Sequence, residues 1–239
     1  MPSSTVYNLL EACREPGCPV CRLEGQALER YLDGQFYENV NSPAWREHLR
    51  ASHGFCHEHA WLGVNKRLGD ALGFTIIYHD IVKNLLPSLS DDGKPTRATR
   101  GRRSVLGQAA ESLQKRVEGL LASLTPRKRC PACEVREEAT RNLITALLEE
   151  LPGSKMREAL LASEGLCIPH LKLALGHVRH HSVYEDLLNI HRVKLEQLKE
   201  ELAEFIRKSD YQVIQEGFGR EGDAWLRAIG MIVGSRKVK

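Results

Sequence analysis

The chain has 239 residues, 42% of them hydrophobic and only 6% aromatic, with a mean hydropathy of −0.36. That is enough chain to bury a core without cross-links, and its makeup is that of a helix-rich protein. The 34 basic and 31 acidic residues leave a net charge of +3, too near balance to imply a nucleic-acid partner from bulk charge. No apolar run approaches the ~18 residues of a membrane span, and the opening MPSSTVYNLLEACREPGC lacks the basic start and apolar stretch of a secretory signal. No membrane is expected, and the expected location is cytoplasmic, where thiols stay reduced.

In chain order, a short helix is expected over Thr5 to Ala12, followed by CPVC (Cys18, Cys21). The next stretch, RLEGQALERYLDGQFYENV, carries Leu23, Ala27, Leu28, Tyr31 and Leu32 on one helical face. Ser42 and Pro43 suit the N-cap and first position of a short helix that ends at Gly54. CHEH (Cys56, His59) then opens a longer helix running from His59 to about Leu86. Residues 88–104, SLSDDGKPTRATRGRRS, are polar, basic at the end and without apolar period, so they are expected to form a flexible linker. A helix over Val105 to Leu124 leads to CPAC (Cys130, Cys133). The helix EVREEATRNLITALLEEL, the turn Pro152-Gly153-Ser154, a short helix ending at Gly165, and CIPH (Cys167, His170) follow. A long helix from Pro169 to about Lys208 is expected to break near His181-Ser182. In the tail, residues 209–239, Phe218, Trp225, Leu226, Ile229 and Ile232 are expected to pack back on the bundle.

The two halves repeat one another. Each has a CPxC pair followed by CxxH, with 35 positions from Cys21 to Cys56 and 34 from Cys133 to Cys167. WREHLRASHGFCHEH (45–59) and MREALLASEGLCIPH (156–170) agree at eight of fifteen positions. This is an internal duplication with a unit of roughly 80 residues, too long for a solenoid. The expected fold is all-α, a helical bundle of two homologous metal-stapled repeats with pseudo-two-fold symmetry. Repeat 1 is assigned to 1–87 and repeat 2 to 105–208.

Six of the seven cysteines fall in this pattern, and thiols in a reducing compartment point to metal before disulfides. A tetrahedral ion takes four thiolate or imidazole ligands, and x-x spacing lets two residues of one turn reach one ion. Each half holds three cysteines and a histidine. Two Cys₃His sites are therefore expected, Cys18, Cys21, Cys56 and His59 in repeat 1, and Cys130, Cys133, Cys167 and His170 in repeat 2. Each would staple a CPxC turn to the start of its own CxxH helix. Two zinc ions are the expected cofactors, because four complete ligands leave no open position. Two iron–sulfur clusters are the alternative, since Cys₃His can hold a cluster and Arg22 and Glu134 stand where zinc ribbons carry glycine. Buried unligated cysteines, or disulfides in an oxidising compartment, are the other readings.

Other residues are assigned plainer roles. Cys13 reads as a small buried hydrophobe or a free thiol. Glu58 and His57 are candidates to orient a ligand from behind, with a solvated carboxylate as the plainer reading of Glu58. His53 reads as surface. His177, His180 and His181, with Glu185 a turn on, read as a solvated helix face, although the i, i+4 spacing can bind metal. Tyr78-His79-Asp80 reads as a polar cluster around a buried hydrogen-bonded histidine, with a functional histidine as the alternative. No phosphate-binding Gly-rich loop, GxSxG or HExxH occurs, so catalysis is not expected.

CPVC, GFCHEHAW, ALGFTIIYHD and the tail EFIRKSD followed by EGDAWLRAIG resemble an uncharacterised family of prokaryotic proteins of about this length. The resemblance covers nearly the whole chain and implies the architecture but no activity. The expected function is a metal-stabilised binding or scaffold module for a protein partner. Nucleic acid is the lesser expectation, resting on Lys94, Arg97, Arg100, Arg102 and Arg103. The rival class is an electron carrier or a thiol/zinc redox switch.

Overall fold

The computed structural model describes residues 3–89 and 105–235, and these contain eleven α-helices and no strand. The helices are α1 (Ser4–Ala12), α2 (Pro19–Tyr37), α3 (Pro43–Ala51), α4 (His57–Asn65), α5 (Ala71–Leu89) and α6 (Val105–Leu124). They continue with α7 (Pro131–Glu150), α8 (Ser154–Ala162), α9 (Ile168–His177), α10 (His181–Lys208) and α11 (Ala224–Val233). The expected all-α class holds. The stretch assigned as linker begins inside α5, and the rest of it, from residue 90 to 104, lies outside the described residues.

Local signals place most boundaries. Ser42 is the N-cap of α3 with Pro43 behind it. Pro19 and Pro131 open α2 and α7 at positions where no intrahelical donor is needed. Gly54 and Gly165 have φ of +88° and +80°, the left-handed turn that a side chain resists. The helix expected from His59 to Leu86 is instead two. Arg67 and Gly69 take positive φ, and Asp70 restarts the chain as an N-cap, its Oδ1 accepting from the Gly73 N–H at 2.6 Å. Polar Asp-capping chemistry overrides the apolar continuity across this stretch. The break before α10 falls at residues 178–180, close to where it was expected.

The chain forms two compact units, one of residues 1–30 with 135–239 and one of residues 31–134. Neither coincides with a sequence repeat. The first is built on Leu9, Val20, Leu147, Leu151, Leu160, Leu166, Ala174 and Leu187, all fully buried. The second is organised around Phe36, whose ring stacks on Phe74 at 3.7 Å and meets Phe55 at 5.2 Å. Leu32, Leu49, Leu62, Ile77 and Ile81 are buried in the same unit.

The tail departs from expectation. Glu221 is buried and ion-paired to Lys208 at 2.7 Å, and Glu201 of α10 binds both Arg220 and Arg227. α11 packs on α9 and α10, with Ala224, Ala228 and Met231 against Leu198 and Leu202. Those positions are spaced i, i+4, i+7, so they make one helical face. Trp225, Leu226, Ile229 and Ile232 lie off it and are about half exposed, as is Phe218. Charge pairs, the Ala224, Ala228 and Met231 face, and the Phe218 ring, stacked on Phe205 of α10 at 4.7 Å, dock the tail, while the other four large apolar residues stay half exposed.

Candidate metal centres

In all four ligand pairs one cysteine precedes a helix and its partner lies in that helix's first turn. Cys56 and Cys167 are the N-caps of α4 and α9, with extended backbone. Their carbonyls accept the first helical bonds, from Ala60 and Leu171. Cys18 and Cys130 stand in the same place ahead of α2 and α7, accepting from Arg22 and Glu134. Side chains at the N-cap and the third helical residue converge over the helix end, as in a capping box. Here the second members are Cys21, His59, Cys133 and His170. The free N–H groups and positive dipole end at each start favour a thiolate.

The pairs combine across the repeats. The first centre gathers Cys18, Cys21, Cys167 and His170, and the second gathers Cys56, His59, Cys130 and Cys133. The expected partition, in which each CPxC meets its own CxxH, is therefore corrected: all eight residues cluster, with partners exchanged. Helix lengths explain it. α2 is about 27 Å long, whereas the nine residues of α3 span only about 13 Å, so the two helices alone do not return the chain to where α2 began. The same mismatch in length recurs between α7, with 20 residues, and α8, with nine. Each centre lies wholly within one compact unit.

The geometry of the two centres matches closely. In the first, His170 Nδ1 stands 3.5, 3.3 and 3.2 Å from the sulfurs of Cys18, Cys21 and Cys167. In the second, His59 Nδ1 stands 3.5, 3.4 and 3.3 Å from those of Cys130, Cys133 and Cys56. Cys21 and Cys167 sulfurs are 3.6 Å apart, and those of Cys56 and Cys133 are 3.7 Å apart. All ligand atoms of a centre lie within 4.8 Å of one another. A tetrahedral ion with Zn–S about 2.3 Å and Zn–N about 2.0 Å would hold its ligands about 3.5–3.8 Å apart, so both donor sets fit one ion.

The protonation balance favours a cation too. In the first centre, hydrogen bonds from Cys167 and Cys18 drive the Cys21 thiol far down, while those from Cys167 and Cys21 drive Cys18 far up. Burial opposes charge on His170, but bonds to Cys167, Cys21 and Glu24 outweigh it and push it up to about 11. Burial and the neighbouring Cys130 push Cys133 up to about 12. Three packed sulfurs cannot all ionise against each other; a bound cation lets them.

Behind the first centre stands Glu24, 4% exposed. Its Oε2 lies 3.1 Å from His170 Nε2 and accepts from Thr140 Oγ1 at 2.8 Å, with Arg136 3.9 Å from its other oxygen. A carboxylate on the far nitrogen fixes the ring and presents Nδ1 to the ion. Glu58 and His57, the candidates for this role, are both exposed, in keeping with the plainer reading of Glu58, and the His57 ring faces Trp61. Glu24 is three residues past Cys21, one turn along the buried side of α2; its repeat counterpart is Arg136, so comparing the halves hides it.

Each CxxH turn is latched by the helix that follows. His191, 2% exposed, accepts the Leu166 N–H at Nε2 (2.9 Å) and donates from Nδ1 to the Leu187 carbonyl (2.7 Å). At the second centre Tyr78 and Ile81 of α5 press on the turn, where a Cβ at Gly54 would lie 3.5 Å from the Tyr78 ring and 3.1 Å from Ile81. Burial holds the His191 pKa below its usual value. A histidine kept neutral in the fold contributes stability that is full above the unfolded pKa of about 6.5 and is lost as pH falls from there through the lower folded value. His191→Gln should blunt that acid loss in thermal melts across this range. His191→Ala should strand the buried Leu166 N–H and cost about 1–3 kcal/mol.

His79, expected to be buried, is exposed. α5 buries Gly73, Ile77 and Ile81, and His79 falls opposite that face. Its neighbour Asp80 points inward to Arg46 at 3.2 Å and Arg50 at 2.7 Å, which hold its carboxyl below the usual range against the effect of burial. His177, His180 and His181 are exposed, with His181 3.1 Å from Glu185; among the described residues they join no metal-binding group. Cys13 is buried, its pKa raised to about 11 by burial, offset in part by Ser163.

The family model described as a family of unknown function, DUF6062, matches residues 6–239. The chain belongs to this family. It is also similar to an uncharacterized 23.9 kDa protein in the xynA 3′ region of Caldicellulosiruptor sp. (strain Rt8B.4), with 22% identity over 231 residues, covering 95% of this chain and 100% of that one. No solved structure matches. The match of this family's model runs through the tail, in which Gly234 reaches the first centre. Gly234 has φ +93°, and a Cβ there would lie 3.6 Å from the Cys21 sulfur and 3.8 Å from that of Cys167. Gly234→Val, a β-branched residue at φ +93° and ψ +158°, a region that glycine alone populates freely, should cost about 1–3 kcal/mol. It should speed metal release from the first centre only, as followed with a chromogenic chelator.

Proposed function

We propose that the protein is a non-enzymatic binding or scaffold module held together by two structural zinc ions, working in the reducing cytoplasm. The observation that carries this is the pair of four-ligand sets, each closed within 4.8 Å. A structural zinc takes four protein ligands and leaves no position for substrate. Each ion would join two helix starts distant in sequence, so its binding free energy would serve folding directly.

The ligand spacing favours one ion over the alternative of an iron–sulfur electron carrier, because a cluster places several irons and sulfides between its thiolates and spreads them further. Zinc thiolates need reduced sulfur, which supports the cytoplasm. Among the described residues no helix is long and apolar enough to cross a membrane. A protein partner is favoured over nucleic acid because α11 presents Trp225, Leu226, Ile229 and Ile232 half exposed on one short helix, an apolar rather than a basic surface. The basic residues Lys94 to Arg103 lie outside the described residues.

Elemental analysis with a visible spectrum on anaerobically purified protein tests the reading. The expected result is two zinc ions per chain and no absorbance near about 400 nm, where iron–sulfur clusters absorb. Iron with sulfide, or a chain folded without metal, would overturn it.

A further inference from the structure

The two centres share a ligand geometry and differ in enclosure. In the first, Cys18, Cys21 and Cys167 are 5%, 6% and 1% exposed. Glu24 locks its histidine from behind, and Gly234 lies over two of its sulfurs. In the second, Cys130 and His59 are buried, but Cys56 and Cys133 are only partly buried. These two come from different helix starts, and their sulfurs are 3.7 Å apart. We propose that the second centre is an oxidation-sensitive site: hydrogen peroxide converts Cys56 and Cys133 to a disulfide and releases the zinc, while the first centre keeps its metal.

The proposal rests on the zinc reading above. Peroxide reaches the accessible thiolates and spares the enclosed ones. One thiolate attacks a peroxide oxygen, the O–O bond breaks, and a sulfenic acid and one hydroxide form. The second thiolate attacks the sulfenic sulfur, the S–O bond breaks, and a disulfide and a second hydroxide form. Two thiolates thus lose two electrons and peroxide gains them. The sulfurs must close to about 2.05 Å, a short movement from their present separation. Zinc is left with only Cys130 and His59, half of what a closed site needs. The joint between the starts of α4 and α7 is then released, and a thiol reductant with zinc restores it.

The test uses the full chain carrying two zinc ions. It is treated with increasing hydrogen peroxide while a chelating dye follows zinc, and differential alkylation with mass spectrometry maps the thiols. The expected course is release of one of the two zinc ions with a Cys56–Cys133 disulfide, reversed by dithiothreitol and added zinc, with Cys18, Cys21 and Cys167 still reduced. Retention of both ions, simultaneous loss of both, or earlier oxidation of the first centre would overturn the proposal while leaving two structural zincs intact as a reading. A chain that never held zinc would overturn both.

Discussion

Replacing Cys18 by Ser and replacing Cys167 by Ser should remove the same metal ion, although 149 positions separate them in the chain. Each single variant should hold one ion instead of two, and the Cys18→Ser, Cys167→Ser double variant should still hold one. Cys18→Ser with Cys56→Ser, two changes within one sequence repeat, should hold none. Pairing within repeats predicts the reverse for the two doubles. The effect should be large, because a structural zinc site is worth about 10–16 kcal/mol of apparent binding free energy at neutral pH. Loss of the first ion should loosen the unit containing α8, α9 and α10 and spare that of residues 31–134, which hydrogen exchange would localise. Metal content after gel filtration gives the stoichiometry.

Glu24→Ala should weaken the first centre about 10–100-fold and leave the second unchanged, the range found when the partner of a metal-bound histidine is lost. The substitution frees His170 to rotate and removes one of the two acceptors of the Thr140 hydroxyl, leaving it the Arg136 carbonyl at 2.9 Å. Glu24→Gln should recover part of the loss, since its amide oxygen can still accept from His170. Competition against a chelator of known affinity, with the two ions resolved by the order of release, measures it. Equal weakening of both centres would show a general loss of fold rather than an effect on the histidine.

The ligands were legible in the sequence because their chemistry leaves few alternatives. Two CPxC pairs and two CxxH pairs at matched distances identify eight residues, and all eight cluster. The partition was not read correctly because spacing along the chain says nothing of direction. The signal was nonetheless present in the predicted helices: the one after CPVC is about twice as long as the return helix from Pro43, so Cys56 falls short of Cys18. Glu24 escaped because an acidic residue on an amphipathic helix reads as solvated until a neighbour such as His170, 146 positions away, claims it. His79 lies outside because the phase of Ile77 and Ile81, not the adjacency of three polar residues, sets the buried face of α5. In the tail Phe218 packs on α10 as its hydrophobicity predicts, whereas Glu201 and Glu221 add charge pairs that an apolar pattern does not show.

The crossed pairing is tested most directly with the intact chain loaded with cadmium-113 and observed by NMR, where scalar coupling to cysteine β-protons identifies the ligands of each ion. Two cadmium resonances are expected. One should couple to Cys18, Cys21 and Cys167, the other to Cys56, Cys130 and Cys133. A resonance coupled to both Cys21 and Cys56 would contradict the account.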